Sequence, residues 1–353
     1  MKAAVLYQAG GPLQIEELEK PTIGDEEVLI KVAACGVCHT DLKYITRGRD
    51  PYVLPGIVGH EISGIIEEVG RHQKSFFKEG DRVIVGMRYK CGKCPYCLAG
   101  RDNLCRNRPS PPPVKKEDGS SVNRWNVGGF CQYLGVPGYM VFPAPKELPL
   151  EESCVIGCRV TTAYNAVKHG AELRPGDSAL VIGCGGVGLN TIQFLECFGA
   201  YPIIAVDIID EKLEAAKRFG ATHTVNAQKE DPVDATRQLT DGGVDKAFEA
   251  IGDRKTADQI ISATKPGGTA VIIGGLGKGP FTISDGSFTF KEIRVTGVAS
   301  RRANDVLEVL RMVEDGRIGV TKLVSKKYPL DEINEAFEDL EKGRLLMGIT
   351  LWN

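Results

Sequence analysis

The sequence predicts an α/β protein in which a β-rich domain drawn from both chain ends flanks a doubly wound, parallel-sheet domain. Three observations carry this. From about Leu180, apolar strand segments alternate with amphipathic helical ones, at Ala179 to Ile182, Ile203 to Val206, Val244 to Ala250 and Thr269 to Ile273. That alternation is the pattern of a parallel sheet covered by helices on both faces. The first hundred residues instead read as short strands broken by Gly and Pro, for example Val28 to Ala33 and Arg82 to Val85, with little helical period. After Ile293 come a strand (Arg294 to Val298), two helices near Asn304 to Glu314 and Leu330 to Lys342, and a last strand, Gly348 to Trp352, a tail expected to rejoin the first domain. The Pro-rich, polar stretch between Arg108 and Gly129 has no period and reads as a solvated loop or disorder.

Composition bounds the chemistry. The 353 residues, 42% apolar and 25% charged, suit a globular chain of two domains. A formal net charge of -2 gives no electrostatic reason to expect a nucleic-acid or membrane partner, so a small-molecule partner is expected. The start, Met1-Lys2-Ala3-Ala4-Val5, lacks a signal-peptide pattern, and no apolar run approaches the roughly 18 residues of a membrane span. A cytoplasmic location is expected on that basis. Four of the eleven cysteines fall within fifteen residues, which favours reduced thiolates on a metal over a disulfide framework.

Gly183-Cys184-Gly185-Gly186-Val187-Gly188 follows an expected strand and opens an expected helix running to about Gly199, the context of a dinucleotide fingerprint. Gly183 serves the tight turn, Gly185 the close approach of backbone to pyrophosphate, and Gly188 the packing of helix on strand, while the amides of Gly186 and Val187 begin the helix. Asp207, nineteen residues past Gly188, ends the next strand, where a carboxylate accepts the adenosine ribose hydroxyls and repels a 2′-phosphate. No Arg or Lys follows until Lys212, so NAD is favoured over NADP.

Cys91, Cys94, Cys97 and Cys105 form C-x2-C-x2-C-x7-C, with Gly92, Pro95 and Gly100 supplying turns. This spacing lets one lobe close four thiolates around a tetrahedral zinc, leaving no position for substrate. A second set is scattered: Cys38-His39-Thr40-Asp41, His60-Glu61 and Cys158. Spacing alone does not join these.

Taken together, the two cysteine and histidine sets, the glycine fingerprint and the domain order resemble the zinc-dependent alcohol dehydrogenases of the medium-chain dehydrogenase/reductase superfamily, nearly end to end. The resemblance implies a GroES-like catalytic domain at 1–157 and 294–353, with a structural zinc lobe at about 88–108, and a Rossmann NAD-binding domain at 158–293. It implies two zinc ions per chain. Cys38, His60 and Cys158 would hold the catalytic one, with Glu61 close behind His60 and Asp41 orienting the imidazole. The implied reaction interconverts an alcohol and its aldehyde or ketone, through zinc-alkoxide formation and hydride transfer to nicotinamide. Thr40 would pass on the substrate proton, Thr162 would pack beside the nicotinamide, and Met87 and Phe130 would line an apolar substrate pocket suited to a bulky or cyclic alcohol. The resemblance also implies a homotetramer, or a homodimer.

Two positions depart from the family's pattern. Lys43 stands where many members carry a histidine that ends the proton relay, and Met347 stands where some members carry an arginine for the pyrophosphate. Arg159, directly after Cys158, and the nine Lys or Arg against three Asp or Glu between Arg88 and Arg124 keep an anionic substrate such as an acyl-CoA open. Two rival readings share the fold: a zinc-free type of enone or quinone reductase, and a non-catalytic NAD- and zinc-binding redox protein. A metal count separates them, two zincs per chain favouring the dehydrogenase.

Overall fold

A computed structural model describes residues 1–48, 53–277, 279–280, 283 and 288–352. It divides into two compact units, Met1–Cys158 with Arg302–Asn353, and Arg159–Arg301.

The first unit is built on strand Glu27–Val37, whose side chains are mostly buried. It pairs antiparallel with Ile62–Val69, with Tyr133–Pro137 and with the C-terminal strand Met347–Leu351. Gly348 faces Val37 in that last ladder, so the two ends of the chain share one sheet. A smaller sheet runs in the order Leu13–Glu17, Lys2–Leu6, Gly56–Ile57, Ser121–Arg124 and Val114–Lys115. The apolar core includes Val28, Ile30, Val32, Ile57, Ile62, Ile66, Trp125 and Phe337. The polar 108–129 stretch, expected to be a solvated loop or disordered, therefore supplies two strands and buries Val122, Trp125 and Val127. Its few apolar residues are the ones that face inward, and Arg124 is held by the carbonyls of Pro112 and Gly135 at 2.9 and 3.0 Å.

The second unit carries a parallel sheet in the order His223–Asn226, Ile203–Asp207, Ala179–Ile182, Val244–Glu249, Thr264–Ile272 and Arg294–Gly297. In chain order this is 3-2-1-4-5-6, with the switch point between Ala179–Ile182 and Val244–Glu249. Strand Arg294–Gly297 was expected to begin the return to the first domain. It instead pairs with Thr264–Ile272 as the sixth parallel strand, and Arg294 ties it to the carbonyl of Gly170 (2.8 Å) and to Glu172 (2.9 Å). Helix Pro232–Leu239 starts on a proline, which has no N–H to leave unpaired, and Asp231 caps it by accepting from Val233 N (2.8 Å) and Asp234 N (3.1 Å). Among the described residues, no helix is long and apolar enough to cross a membrane.

Helix Ile333–Glu341 is anchored to the first unit's sheet through Asp339. Its carboxylate receives Lys326 Nζ at 2.9 Å, the Tyr328 hydroxyl at 2.7 Å and Arg344 at 3.0 Å. These donors, Lys326 first, hold the carboxyl well below the usual carboxylate range. A group depressed in the folded state contributes stability that is present above its unfolded value of about 3.9 and lost as pH falls through the folded value. Asp339→Asn is expected to lower the melting temperature at pH 7 and to flatten its fall in acid. Calorimetry between pH 6 and 2 checks this, because the contribution is lost only below about pH 4, and equal losses at every pH in that range would remove the carboxylate's charge as the cause.

Candidate active site

Cys38 ends the segment that follows strand Glu27–Val37 and is the N-terminal cap of helix His39–Arg47. Thr40 and Lys43 lie three residues apart on that helix, hence on one face, and both are half-buried. Asp41, on the first turn, is 1% exposed. His60 and Glu61 precede strand Ile62–Val69 and are fully buried. The turn before them requires glycine: Gly59 has φ +102°, and a Cβ there would stand 2.9 Å from Cys35 Sγ and from Phe130. Gly36 likewise leaves room for Glu61, whose Oε2 would lie 2.2 Å from a Cβ at that position.

The fold thereby joins residues that the chain separates. Asp41 Oδ1 accepts from Gly59 N at 3.1 Å and lies 3.0 Å from His60 Nδ1. With Nδ1 donating to Asp41, Nε2 carries the lone pair, and this buried nitrogen has no hydrogen-bond partner among the described residues. Potential ligand atoms of His60, Glu61 and Cys158 lie within 4.8 Å of one another, as do those of Cys38, Asp41 and His60. Burial works against a charged His60, but the Asp41 carboxylate and the Cys158 sulfur outweigh it and push the imidazole well up. Burial also pushes the Cys158 thiol up. A buried imidazole nitrogen among sulfurs and carboxylates fits a divalent cation of zinc's donor preference. Asp41 is the partner that fixes the imidazole tautomer.

The cysteine lobe fits zinc on geometry alone. The sulfurs of Cys91 and Cys97 are 4.0 Å apart, Cys94 and Cys97 3.5 Å, Cys94 and Cys105 4.0 Å, and Cys91 and Cys105 3.5 Å. Zinc–sulfur bonds of about 2.3 Å give a tetrahedron with edges of about 3.8 Å. Gly92 (φ +72°) and Gly100 (φ +69°) make the turns. Backbone N–H groups of Cys97 and Arg106 bring Cys94 down to about 6, whereas burial pushes Cys97 up to about 12. Four sulfurs this close cannot all ionise without a cation between them. The lobe is tied to the C-terminal segment by Asp102 Oδ1, which accepts from Ala303 N at 2.9 Å and so caps helix Ala303–Glu314.

In the second unit the glycine turn sits at the sheet's switch point. Gly183 has φ +100°, and a Cβ on Gly188 would lie 1.7 Å from the Gly183 carbonyl oxygen. Over Gly185 a Cβ would meet nothing within 4 Å, an open approach to backbone of the kind a pyrophosphate needs. Gly186 and Val187 are half-buried at the start of helix Gly186–Cys197. Asp207 is 9% exposed and has a task that sequence spacing does not reveal: Oδ2 accepts from Cys184 N at 2.7 Å, and Oδ1 from Ile208 N (2.8 Å) and Ile209 N (3.1 Å). It braces the glycine turn. Thr162 (9% exposed) and Arg159 (4%) lie on helix Arg159–Asn165 of the same unit.

Two expectations change. Phe130, expected in the substrate pocket, has no exposed surface and packs edge-on against Phe337 at 5.7 Å, so it is a core residue of the first unit; Met87 is 6% exposed. Met347, set against an arginine on the pyrophosphate, is fully buried in strand Met347–Leu351, where a charge would be unsolvated.

Comparison with known proteins agrees with this geometry. Residues 24–146 match the alcohol dehydrogenase GroES-like domain family, and residues 186–315 the zinc-binding dehydrogenase family. The chain is 36% identical to an alcohol dehydrogenase of Geobacillus stearothermophilus, over 99% of this chain and 98% of that one. It is 34% identical to an S-(hydroxymethyl)glutathione dehydrogenase of Saccharomyces cerevisiae, over 98% and 95%. The crystal structure of benzyl alcohol dehydrogenase from Acinetobacter calcoaceticus superposes with a TM-score of 0.91 at 31% identity, covering 100% of this chain and 99% of that one. The chain belongs to the zinc-dependent alcohol dehydrogenases of the medium-chain dehydrogenase/reductase superfamily, and is an NAD-dependent enzyme that interconverts alcohols with their aldehydes or ketones.

Proposed function

We propose that Cys38, His60 and Cys158 hold a catalytic zinc, with Glu61 at its edge, that Cys91, Cys94, Cys97 and Cys105 hold a second, structural zinc, and that NAD lies on the turn Gly183 to Gly188 with Asp207 at its adenosine ribose. The observation that carries the reading is the buried His60 Nε2, left without a hydrogen-bond partner beside cysteine sulfur while Asp41 occupies Nδ1.

When bound, zinc supplies Lewis acidity to the alcohol oxygen and nicotinamide supplies the hydride acceptor. The chain's own residues do the rest. Asp41 keeps the imidazole in the tautomer that presents Nε2. Thr40, on the first turn after Cys38, accepts the substrate hydroxyl proton as it passes its own on to the cofactor ribose and water, and Lys43, three residues on, lies on the same helix face where that relay reaches solvent. Thr162 packs against the nicotinamide, and Met87 and Arg159 border the substrate. Arg159 and the basic 88–124 segment favour testing anionic alcohols beside apolar ones, and the similarity to both a benzyl alcohol and an S-(hydroxymethyl)glutathione dehydrogenase supports that breadth. A cytoplasmic homotetramer is the assembly we favour.

The test is NADH absorbance with primary, aromatic, cyclic and thioester or glutathione-linked alcohols, together with zinc per chain by atomic emission. Turnover with two zincs is expected. One zinc without turnover would remove the catalytic metal set, and the active panel members name the substrate class.

A further inference from the structure

Beside Asp207, the ends of the second and third strands of the parallel sheet carry side chains that the proposed chemistry does not use. Asp207 and Asn226 are register partners at the tips of Ile203–Asp207 and His223–Asn226. Asn226 is 8% exposed, and its Nδ2 donates to Asp210 Oδ1 at 2.6 Å. Lys229 Nζ reaches Asp210 Oδ1 at 3.1 Å and Oδ2 at 2.8 Å. A buried amide thus fixes a carboxylate, which in turn fixes an exposed lysine, beside the strand end where a dinucleotide's ribose 2′ position is read.

A 2′-phosphate is close to dianionic at neutral pH and needs a cation at that position. Lys229 is the right type of group, a compact charge on a flexible stem. Its charge is cancelled by Asp210, and Asp207 leaves the group net negative. We propose that Asp210 and Lys229 form a charge gate at the adenosine end of the cofactor site, in which Asp210 withholds Lys229 from a 2′-phosphate and is a second determinant of NAD over NADP. The inference rests on the reading of Asp207 as the ribose ligand. Both partners of the ion pair are largely exposed, at 65% and 61%, so breaking it leaves the fold in place.

The experiment is calorimetric titration of the full chain with adenosine 2′,5′-bisphosphate and with 5′-AMP. In Asp210→Asn the bisphosphate is expected to bind about fivefold tighter while 5′-AMP stays within about twofold, and adding Lys229→Ala is expected to erase the gain. Glu214→Gln, which breaks the 2.6 Å pair with Lys217 on the same helix and changes net charge equally, is expected to give no gain. No gain in Asp210→Asn, an equal gain for 5′-AMP, a gain that survives Lys229→Ala, or one matched by Glu214→Gln would each overturn the gate. Asp207→Asn, run in parallel, tests the underlying reading separately: unchanged 5′-AMP affinity there removes Asp207 from the ribose, while the Asp210 and Lys229 arms still decide the gate.

Discussion

Cys158→Ala is expected to lower kcat/KM by at least about a thousandfold and to reduce bound zinc from two per chain to one. A thousandfold corresponds to about 4 kcal/mol of transition-state stabilisation, within what a Lewis-acid metal supplies. The fold should survive, because trimming a buried thiol to a methyl removes little volume. His60→Ala is expected to match it kinetically and to differ in stability. Asp41 would remain 1% exposed with its imidazole partner gone, and an orphaned buried carboxylate costs about 3 kcal/mol or more. The two variants therefore separate catalysis from folding. Zinc content and melting temperature measured beside kcat/KM check this, and a Cys158→Ala enzyme with full activity and two zincs would remove Cys158 from the ligand set.

Cys97→Ser is expected to act on the other site and in the other way. The lobe has little apolar core: Leu98, in its middle, is 76% exposed, and its helices are one turn each. On the proposed reading its conformation depends on a cation between the four sulfurs, whose neighbouring pairs stand 3.5 to 4.0 Å apart. Loss of a structural zinc removes binding energy that is also folding energy. The loosened lobe withdraws Asp102 from Ala303 N, so the start of helix Ala303–Glu314 frays with it. We expect one zinc per chain, a fall in melting temperature of roughly 10 °C, and new protease cleavage within 91–105. Resistance to protease with an unchanged melting temperature would show that the lobe holds its shape without metal.

Much of this molecule is readable along the chain, and the reason is short range. The spacing of Cys91, Cys94, Cys97 and Cys105 keeps four sulfurs within reach of one another, and the structure brings them together. The glycine turn is legible because strand, turn and helix follow in immediate succession, and the alternation of apolar strands and helices specifies a parallel sheet before any contact is known.

Longer-range facts depended on packing. Nothing in the spacing of Cys38, His60 and Cys158 joins them; His60 comes beside Cys38 through the pairing of Glu27–Val37 with Ile62–Val69 and the Gly59 turn, and it also lies beside Cys158. The 108–129 stretch looked solvated because its composition is polar, yet its inward residues complete a sheet edge. Phe130 became core through Phe337, 207 positions away, and Arg294–Gly297 joined the parallel sheet because an open edge was available to pair its backbone. The sequence by itself determined the fold class, the glycine turn and the spacing of the cysteine lobe, since neighbouring residues are held together by covalent geometry. Only the tertiary structure decided which distant side chains share a pocket, which apolar residues are core, and that Asp207 braces the glycine turn, because those contacts exist only once sheets have paired and water has left between them.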